Sequence, residues 1–274
     1  MSEESFLGGS GGRPILERAL RLKEKLKGGG HVIGAWLSVT DPTVAEIMAH
    51  AGFDYVLIET EHSPWSLDKL QTAVMAFNGS ATVPMARVPW NDQVMIKQYL
   101  DLGIEGILAP MVRTPEEAAA LVAACRYPPV GRRGFGPRRA SNFYKDIDTY
   151  MARANDAIFV MPQIEDIATL ARLEELVAVP GLDAICIGPN DLSGTAGLLR
   201  QTQHPTIKAA LDRIIATAAA AGLPACLGVN TPPERQVELC RQGVRVLLAT
   251  SDLDLLIRGA ANAIAACREQ SQRV

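Results

Sequence analysis

Two runs within residues 157–197 decide the fold: Ala157-Ile-Phe-Val-Met-Pro-Gln-Ile-Glu165 and Ala184-Ile-Cys-Ile-Gly-Pro-Asn-Asp191. Two short apolar segments, Ile158 to Ile164 and Leu182 to Ile187, each lead to a carboxylate. Between them, Asp166 to Pro180 has helical spacing. A strand, a helix and a second strand in this order make a parallel pair, because parallel strands need a long crossover. Neighbouring strands lie about 4.8 Å apart, so Glu165 and Asp191 project from one edge of the sheet and converge. Converging carboxylates repel, and a divalent cation relieves the repulsion. The stretch therefore predicts a metal site held by Glu165 and Asp191.

Outward from this unit the same alternation recurs. Upstream, Pro14 to Lys27 reads as an amphipathic helix closed by Gly28-Gly29-Gly30. Strands are predicted at His31 to Val39, Tyr55 to Thr60, Val83 to Val88 and Gly106 to Val112. Helices follow each, opened by Asp41-Pro42 and Thr114-Pro115 where a capping side chain precedes a proline. Downstream, strands at Ala225 to Val229 and Val244 to Thr250 are again followed by helical runs. Residues 126–144 form an irregular Arg/Pro/Gly segment. Eight strand–helix units point to a closed α/β (β/α)8 TIM barrel, a single domain over residues 14–274 after a flexible leader at 1–13. The rival, an open doubly wound sheet, should carry a glycine fingerprint, and neither G-x-G-x-x-G nor a Walker A pattern is present.

Composition narrows the function. The chain has 274 residues, 48% hydrophobic, enough for a sizeable core, and a net charge of −3 gives no polyanion-binding signal. Nucleic acid is not expected as a partner. Neither is a membrane, since no apolar run approaches a span and the acidic start lacks signal-peptide character. Five cysteines without C-x-x-C spacing suggest reduced thiols and a cytoplasmic setting.

Barrel enzymes carry their chemistry at the C-terminal ends of strands. There the sequence gathers Trp36 and Ser38, Glu59 with Glu61-His62, Arg87, Gln163 with Glu165, and Gly188-Pro189-Asn190-Asp191. Taken alone, Asp191 reads equally well as a helix N-cap, and His62 reads as a loop histidine. Their joint placement makes the site. No predicted strand holds a lysine, which disfavours Schiff-base chemistry, and no G-x-S-x-G triad signature occurs. Metal-assisted chemistry on a small oxygenated substrate remains. Oxygen ligands favour Mg²⁺ or Mn²⁺, with Co²⁺ or Zn²⁺ also suitable.

At these residues the chain resembles the pyruvate-dependent class II aldolases, the family of 4-hydroxy-2-oxoheptanedioate aldolase and 2-dehydro-3-deoxyglucarate aldolase within the citrate-lyase-like superfamily. The resemblance spans about residues 34–249. It rests on Gly52-Phe53-Asp54-Tyr55 with Glu61-His62-Ser63-Pro64, Arg87-Val88-Pro89, Leu100-Asp101-Leu102-Gly103, Arg126-Tyr127-Pro128-Pro129-Val130-Gly131 with Arg133-Gly134, Gln163-Ile164-Glu165, and Gly188-Pro189-Asn190-Asp191-Leu192-Ser193. It implies a divalent metal at Glu165 and Asp191, with pyruvate as the 2-oxo acid and an aldehyde as its partner. It further implies that amides around Gly188, Pro189, Asn190 and Asp191 hold the pyruvate carboxylate and that Arg87 sits by the keto oxygen. His62 would transfer the proton, Asp101 would orient it, and Gln163 would hydrogen-bond at the metal site. Where the family has Asp three residues before the histidine, this chain has Glu59. The resemblance also implies a homohexamer with the last helix exchanged between subunits, and Arg132 or Arg133 is a candidate to reach a neighbour's acceptor pocket. The expected reaction makes or cleaves 4-hydroxy-2-oxo acids. The alternatives are a citrate-lyase-like lyase acting on a CoA thioester and a barrel that binds 2-oxo acids without turnover.

Overall fold

A computed structural model describes residues 15–271. The predicted leader at 1–13 lies outside the described residues. Eight parallel strands close on themselves in the order β1 to β8. They are β1 Val32–Leu37, β2 Tyr55–Glu59, β3 Val83–Arg87, β4 Gly106–Ala109, β5 Phe159–Ile164, β6 Ile185–Ile187, β7 Ala225–Leu227 and β8 Val244–Ser251. β1 pairs with both β2 and β8, which seals the cylinder. The predicted (β/α)8 barrel is the observed fold.

Each strand has its helix outside. α1 Glu17–Lys27 precedes the barrel, and α2 Pro42–His50, α3 Leu67–Ala76, α4 Gln93–Asp101 and α5 Pro115–Cys125 follow the first four strands. The capping predictions hold: the Asp41 carboxylate accepts from Thr43 N at 2.8 Å, and the Thr114 hydroxyl accepts from Glu117 N at 3.2 Å. α6 Ile147–Ala157 was not anticipated, and its buried stripe of Tyr150, Ala154 and Ala157 fixes it ahead of β5. The helical run after β5 divides into a 3₁₀ stretch, Ile167–Arg172, and a short α7 Leu173–Val177. The remaining helices are α8 Pro189–Thr195, α9 Pro205–Ala220, α10 Pro233–Gln242 and α11 Asp252–Ser271.

The barrel interior is filled by side chains, as the layered packing of such barrels requires. The Tyr55 ring lies against Gly34, where any side chain would collide with it, and its hydroxyl donates to Leu247 O at 3.0 Å. At the N-terminal foot the charges are matched. Arg18 bridges Glu105 at 2.7 Å, and Lys23 bridges Asp183 at 2.8 Å with Arg126 3.8 Å from the same carboxylate. Burial lowers the Lys23 pKa, against the pull of Asp183. This buried lysine lies on a helix at the far end from the mouth, which agrees with the case against a Schiff-base lysine. α11 differs from every other helix. After Asp252 none of its described residues is buried, and Leu253, Leu255, Leu256, Ile257 and Ile264 are exposed.

Candidate active site

β2 and β3 run in register with Glu59 beside Arg87, each the last residue of its strand. This adjacency makes a fork. Arg87 Nε donates to Glu59 Oε1 at 3.1 Å, and Arg87 Nη2 donates to Glu59 Oε2. The same Glu59 Oε1 accepts the backbone N–H groups of Glu61 at 2.9 Å and His62 at 3.2 Å. The longer carboxylate at position 59 therefore ties the arginine to the turn that carries the histidine. The guanidinium also lies over the Trp36 ring, 4.8 Å from its centroid, a cation–π contact. Thr60 adds rigidity: Tyr99 donates to its hydroxyl at 3.0 Å, and that hydroxyl donates to Arg87 O.

β5 and β6 run in register through Ile164 and Ile187, which sets Glu165 against Gly188. A Cβ at Gly188 would lie 2.5 Å from Glu165 Oε2 and 2.9 Å from Gln163 Nε2, so only glycine lets the turn close over the acid. Gln163 Nε2 donates to Glu165 Oε2, and Met111 N donates to Glu165 Oε1 at 2.7 Å. Met111 has a left-handed φ of 53°, a costly conformation for a non-glycine residue that aims its N–H at the acid. Burial raises the Glu165 pKa; the bonds from Gln163 and Met111 oppose this and the Asp191 charge adds to it. Asp191 is not an N-cap. It lies inside the first turn of α8, whose cap is Gly188, and its side chain is exposed.

Glu61 completes the mouth. Its Oε2 lies 3.1 Å from Arg87 Nε and 3.9 Å from His62 Nε2. That oxygen is buried and accepts no hydrogen bond, because the Nε–H is directed at Glu59. Burial raises the Glu61 pKa, and the Glu165 and Glu59 charges add to the rise while Arg87 and His62 counter it. Arg87 thus pairs with Glu59 and Glu61 and its charge reaches Glu165, while Asp191 adds a further negative charge beside Glu165. The surplus of negative charge fits a divalent cation. Among the described residues no three His, Cys, Asp or Glu side chains form a ready cage. Two carboxylates are the protein donor set of a cation that leaves positions open for substrate oxygens. The buried Gln163 Oε1, which has no partner, is a further oxygen facing this region.

Two expectations are corrected within the chain. Asp101 ends α4 at the foot of the barrel, and its carboxylate accepts from Arg133 Nη2 at 2.7 Å, so it does not orient the His62 of its own chain. Arg133 is 1% exposed, with its guanidinium 4.5 Å from the Tyr127 ring centroid and 5.8 Å from that of Tyr150. It points inward, not to a neighbour; Arg132 is exposed. The structure brings Arg87, Glu165, Gln163 and Gly188 to one end of the barrel, with His62 and Asp191 at its rim. Sequence reading missed the roles of Glu61 and Met111. Aligning the ends of strands two and three places Glu59 beside Arg87, but it does not show that Glu61 reaches the same guanidinium.

Residues 32–259 match the family model for HpcH/HpaI aldolase/citrate lyase. A 4-hydroxy-2-oxo-heptane-1,7-dioate aldolase of Salmonella paratyphi C is 41% identical over 242 residues, 87% of this chain and 90% of that one. A hydroxypyruvate/pyruvate aldolase of Roseobacter denitrificans is 39% identical over 238 residues, 86% of this chain and 92% of the relative. A crystal structure of an HpcH/HpaI aldolase/citrate lyase family protein from Burkholderia cenocepacia superposes with a TM-score of 0.84 at 30% identity, covering 90% of this chain and 99% of that one. With the strand-end acids, the arginine fork and the glycine turn already in place, these matches make the chain a member of the HpcH/HpaI aldolase/citrate lyase family.

Proposed function

We propose that this protein is a divalent-metal-dependent aldolase that makes or cleaves 4-hydroxy-2-oxo acids through the enolate of pyruvate and an aldehyde. The observation that carries the reading is the charge surplus at the mouth, where Glu59, Glu61 and Glu165 face Arg87 and Asp191 adds its charge beside Glu165. Glu165 and Asp191 would hold the ion, with Mg²⁺ or Mn²⁺ favoured by all-oxygen donors and Co²⁺ or Zn²⁺ also accommodated. When bound, the metal supplies Lewis-acid polarisation of the 2-oxo group.

The chain's own residues do the rest. Arg87, held in its fork, offers fixed positive charge to the oxygen on which the enolate charge forms, and such preorganised charge is commonly the largest catalytic contribution. Gln163 hydrogen-bonds at the acid end, and Gly188 to Asp191 cradle the pyruvate carboxylate. His62 takes the methyl proton of pyruvate and returns a proton to the alkoxide made when the enolate adds to the aldehyde. Cleavage is the reverse. A side chain in that role contributes about 10²–10⁴-fold. The exposed apolar side chains of α11 support a homo-oligomer, a hexamer by resemblance, in which a second copy covers this helix. The five cysteines, none of them in a disulfide, suit a cytoplasmic setting.

The test is exchange of the pyruvate methyl protons in deuterated water, with and without Mg²⁺ or Mn²⁺, followed by a screen of aldehydes. Metal-dependent exchange and aldol product are expected. Glu165→Ala should lose the metal response; full activity in that variant without added metal would sink the reading.

A further inference from the structure

We propose that the left-handed turn at Met111 is a positioning device for the metal acid: its backbone conformation, not its thioether, fixes the Glu165 carboxylate for the cation. The inference rests on the metal-dependent reading above and deepens it. It starts from a break in the β4–β5 ladder. Pro110 follows Ala109, the last residue of β4, and Pro162 is the register partner of Ala109, so neither proline offers an N–H there. The next donor along the chain is Met111 N, and it leaves the sheet for a side chain, reaching Glu165 Oε1 at 2.7 Å. Val112 N then donates to Gln163 O at 3.3 Å, and Arg113 Nε lies 3.2 Å from Asp166 Oδ2. Three successive residues of the β4 turn are thereby strapped to the tip of β5 around its acid. The middle one is anchored, since Val112 is buried.

This strap demands an unusual backbone. A left-handed residue turns its own N–H and the next towards one side, as in the nests that hold anions. Met111 has a φ of 53°, which a residue with a Cβ adopts at a cost. Asn142, Phe143, Tyr144 and Arg200 are also left-handed, but their N–H groups bond close by in their own turns. The Met111 bond spans 54 positions and ends on a site residue. The strain therefore sits where the acid is held. With Gln163 Nε2 donating to Oε2, each carboxylate oxygen has one lone pair occupied and a second left for a cation. An acid held at both oxygens keeps one orientation, and removing such a support lowers metal affinity about 10–100-fold.

A substitution series separates backbone from side chain. Asparagine and glycine accept the left-handed region, whereas a β-branched valine resists it. The experiment titrates Mn²⁺ into the metal-free full chain and reads free Mn²⁺ by electron paramagnetic resonance, for the wild type, Met111→Asn, Met111→Gly and Met111→Val. Met111→Asn and Met111→Gly should bind as the wild type does, and Met111→Val should bind about 10–100-fold more weakly. Met111→Thr, with the smaller β-branched side chain, repeats the test if the valine chain does not fold.

Activity supplies a second reading. Pyruvate exchange and oxaloacetate decarboxylation reach the same enolate. The first loses a methyl proton to a base; the second loses carbon dioxide, and the electron pair of the broken C–C bond becomes the enolate. In Met111→Val both rates, above the protein-free background, should fall together at low Mn²⁺ and recover together at saturating Mn²⁺, which a misfolded chain could not do. Weak binding by Met111→Asn and Met111→Gly alike, or wild-type binding by Met111→Val, overturns the assignment. A wild-type chain that binds no divalent ion overturns the metal reading, and this assignment with it.

Discussion

The two ends of this barrel handle charge in opposite ways. At the foot, Arg18 meets Glu105, Arg133 meets Asp101, and Lys23 meets Asp183 with Arg126 nearby. Each of these buried or half-buried cations has an anion within ion-pair distance, Lys23 and Arg126 sharing Asp183, and the contacts bind α1 and the 126–144 segment to the bottom of the sheet. At the mouth, Glu59, Glu61 and Glu165 face the one guanidinium of Arg87, and Asp191 adds a fourth negative charge beside Glu165. Matched pairs hold a fold together, while an unmatched cluster stores electrostatic cost that a bound cation and an anionic intermediate can use. The contrast locates function without reference to any motif.

The contrast can be broken in graded ways. The largest effect should come from the shared cation. Arg87→Ala should reduce pyruvate exchange, retro-aldol cleavage and oxaloacetate decarboxylation by about 10²–10³-fold; normal exchange in this variant would remove Arg87 from enolate stabilisation. At the foot, Lys23→Ala should lower the unfolding free energy by about 3 kcal/mol in denaturant titration, because Asp183 keeps the Val160 N–H but, as counter-ion, only the more distant Arg126. An unaltered midpoint would mean that the matched end is not what stabilises the barrel.

The smallest effect has the opposite sign. Burial raises the Glu165 pKa, so the folded metal-free chain holds this proton more tightly than the unfolded chain does. Stability from this group is therefore gained as pH falls through the raised folded value towards the ordinary carboxylate range, and lost above it. Glu165→Gln should be modestly more stable than the metal-free wild type at neutral pH. The difference should shrink on acidification and reverse when the wild type is given metal. Thermal melts at neutral and acid pH, with chelator and with Mn²⁺, read all three.

The barrel was legible because its strands are short apolar runs spaced by amphipathic helices, a pattern that depends only on which residues face inward. Glu165 and Gly188 were legible for the same reason, since strand pairing places them without knowledge of any side-chain contact. α6 was not, because its apolar stripe is thin and follows an Arg/Gly/Pro segment. Arg133 reads as a solvated arginine, but Tyr127, Tyr150 and Asp101 enclose it, and those partners are scattered along the sequence. Glu61 was harder still, since its meaning depends on Glu59 having already taken the Nε–H of Arg87. That is a competition between neighbours, invisible in spacing.

Gly188 sets a limit on how such a pocket can be re-tooled. Even a methyl branch there would be driven into the Glu165 carboxylate and the Gln163 amide. Variation toward bulkier acceptors must enter through the turns after β2 and β3, where Pro64 and Trp90 already face solvent. In a directed-evolution campaign the fifth and sixth strand tips would remain a frozen floor, and new selectivity would accumulate on the opposite wall.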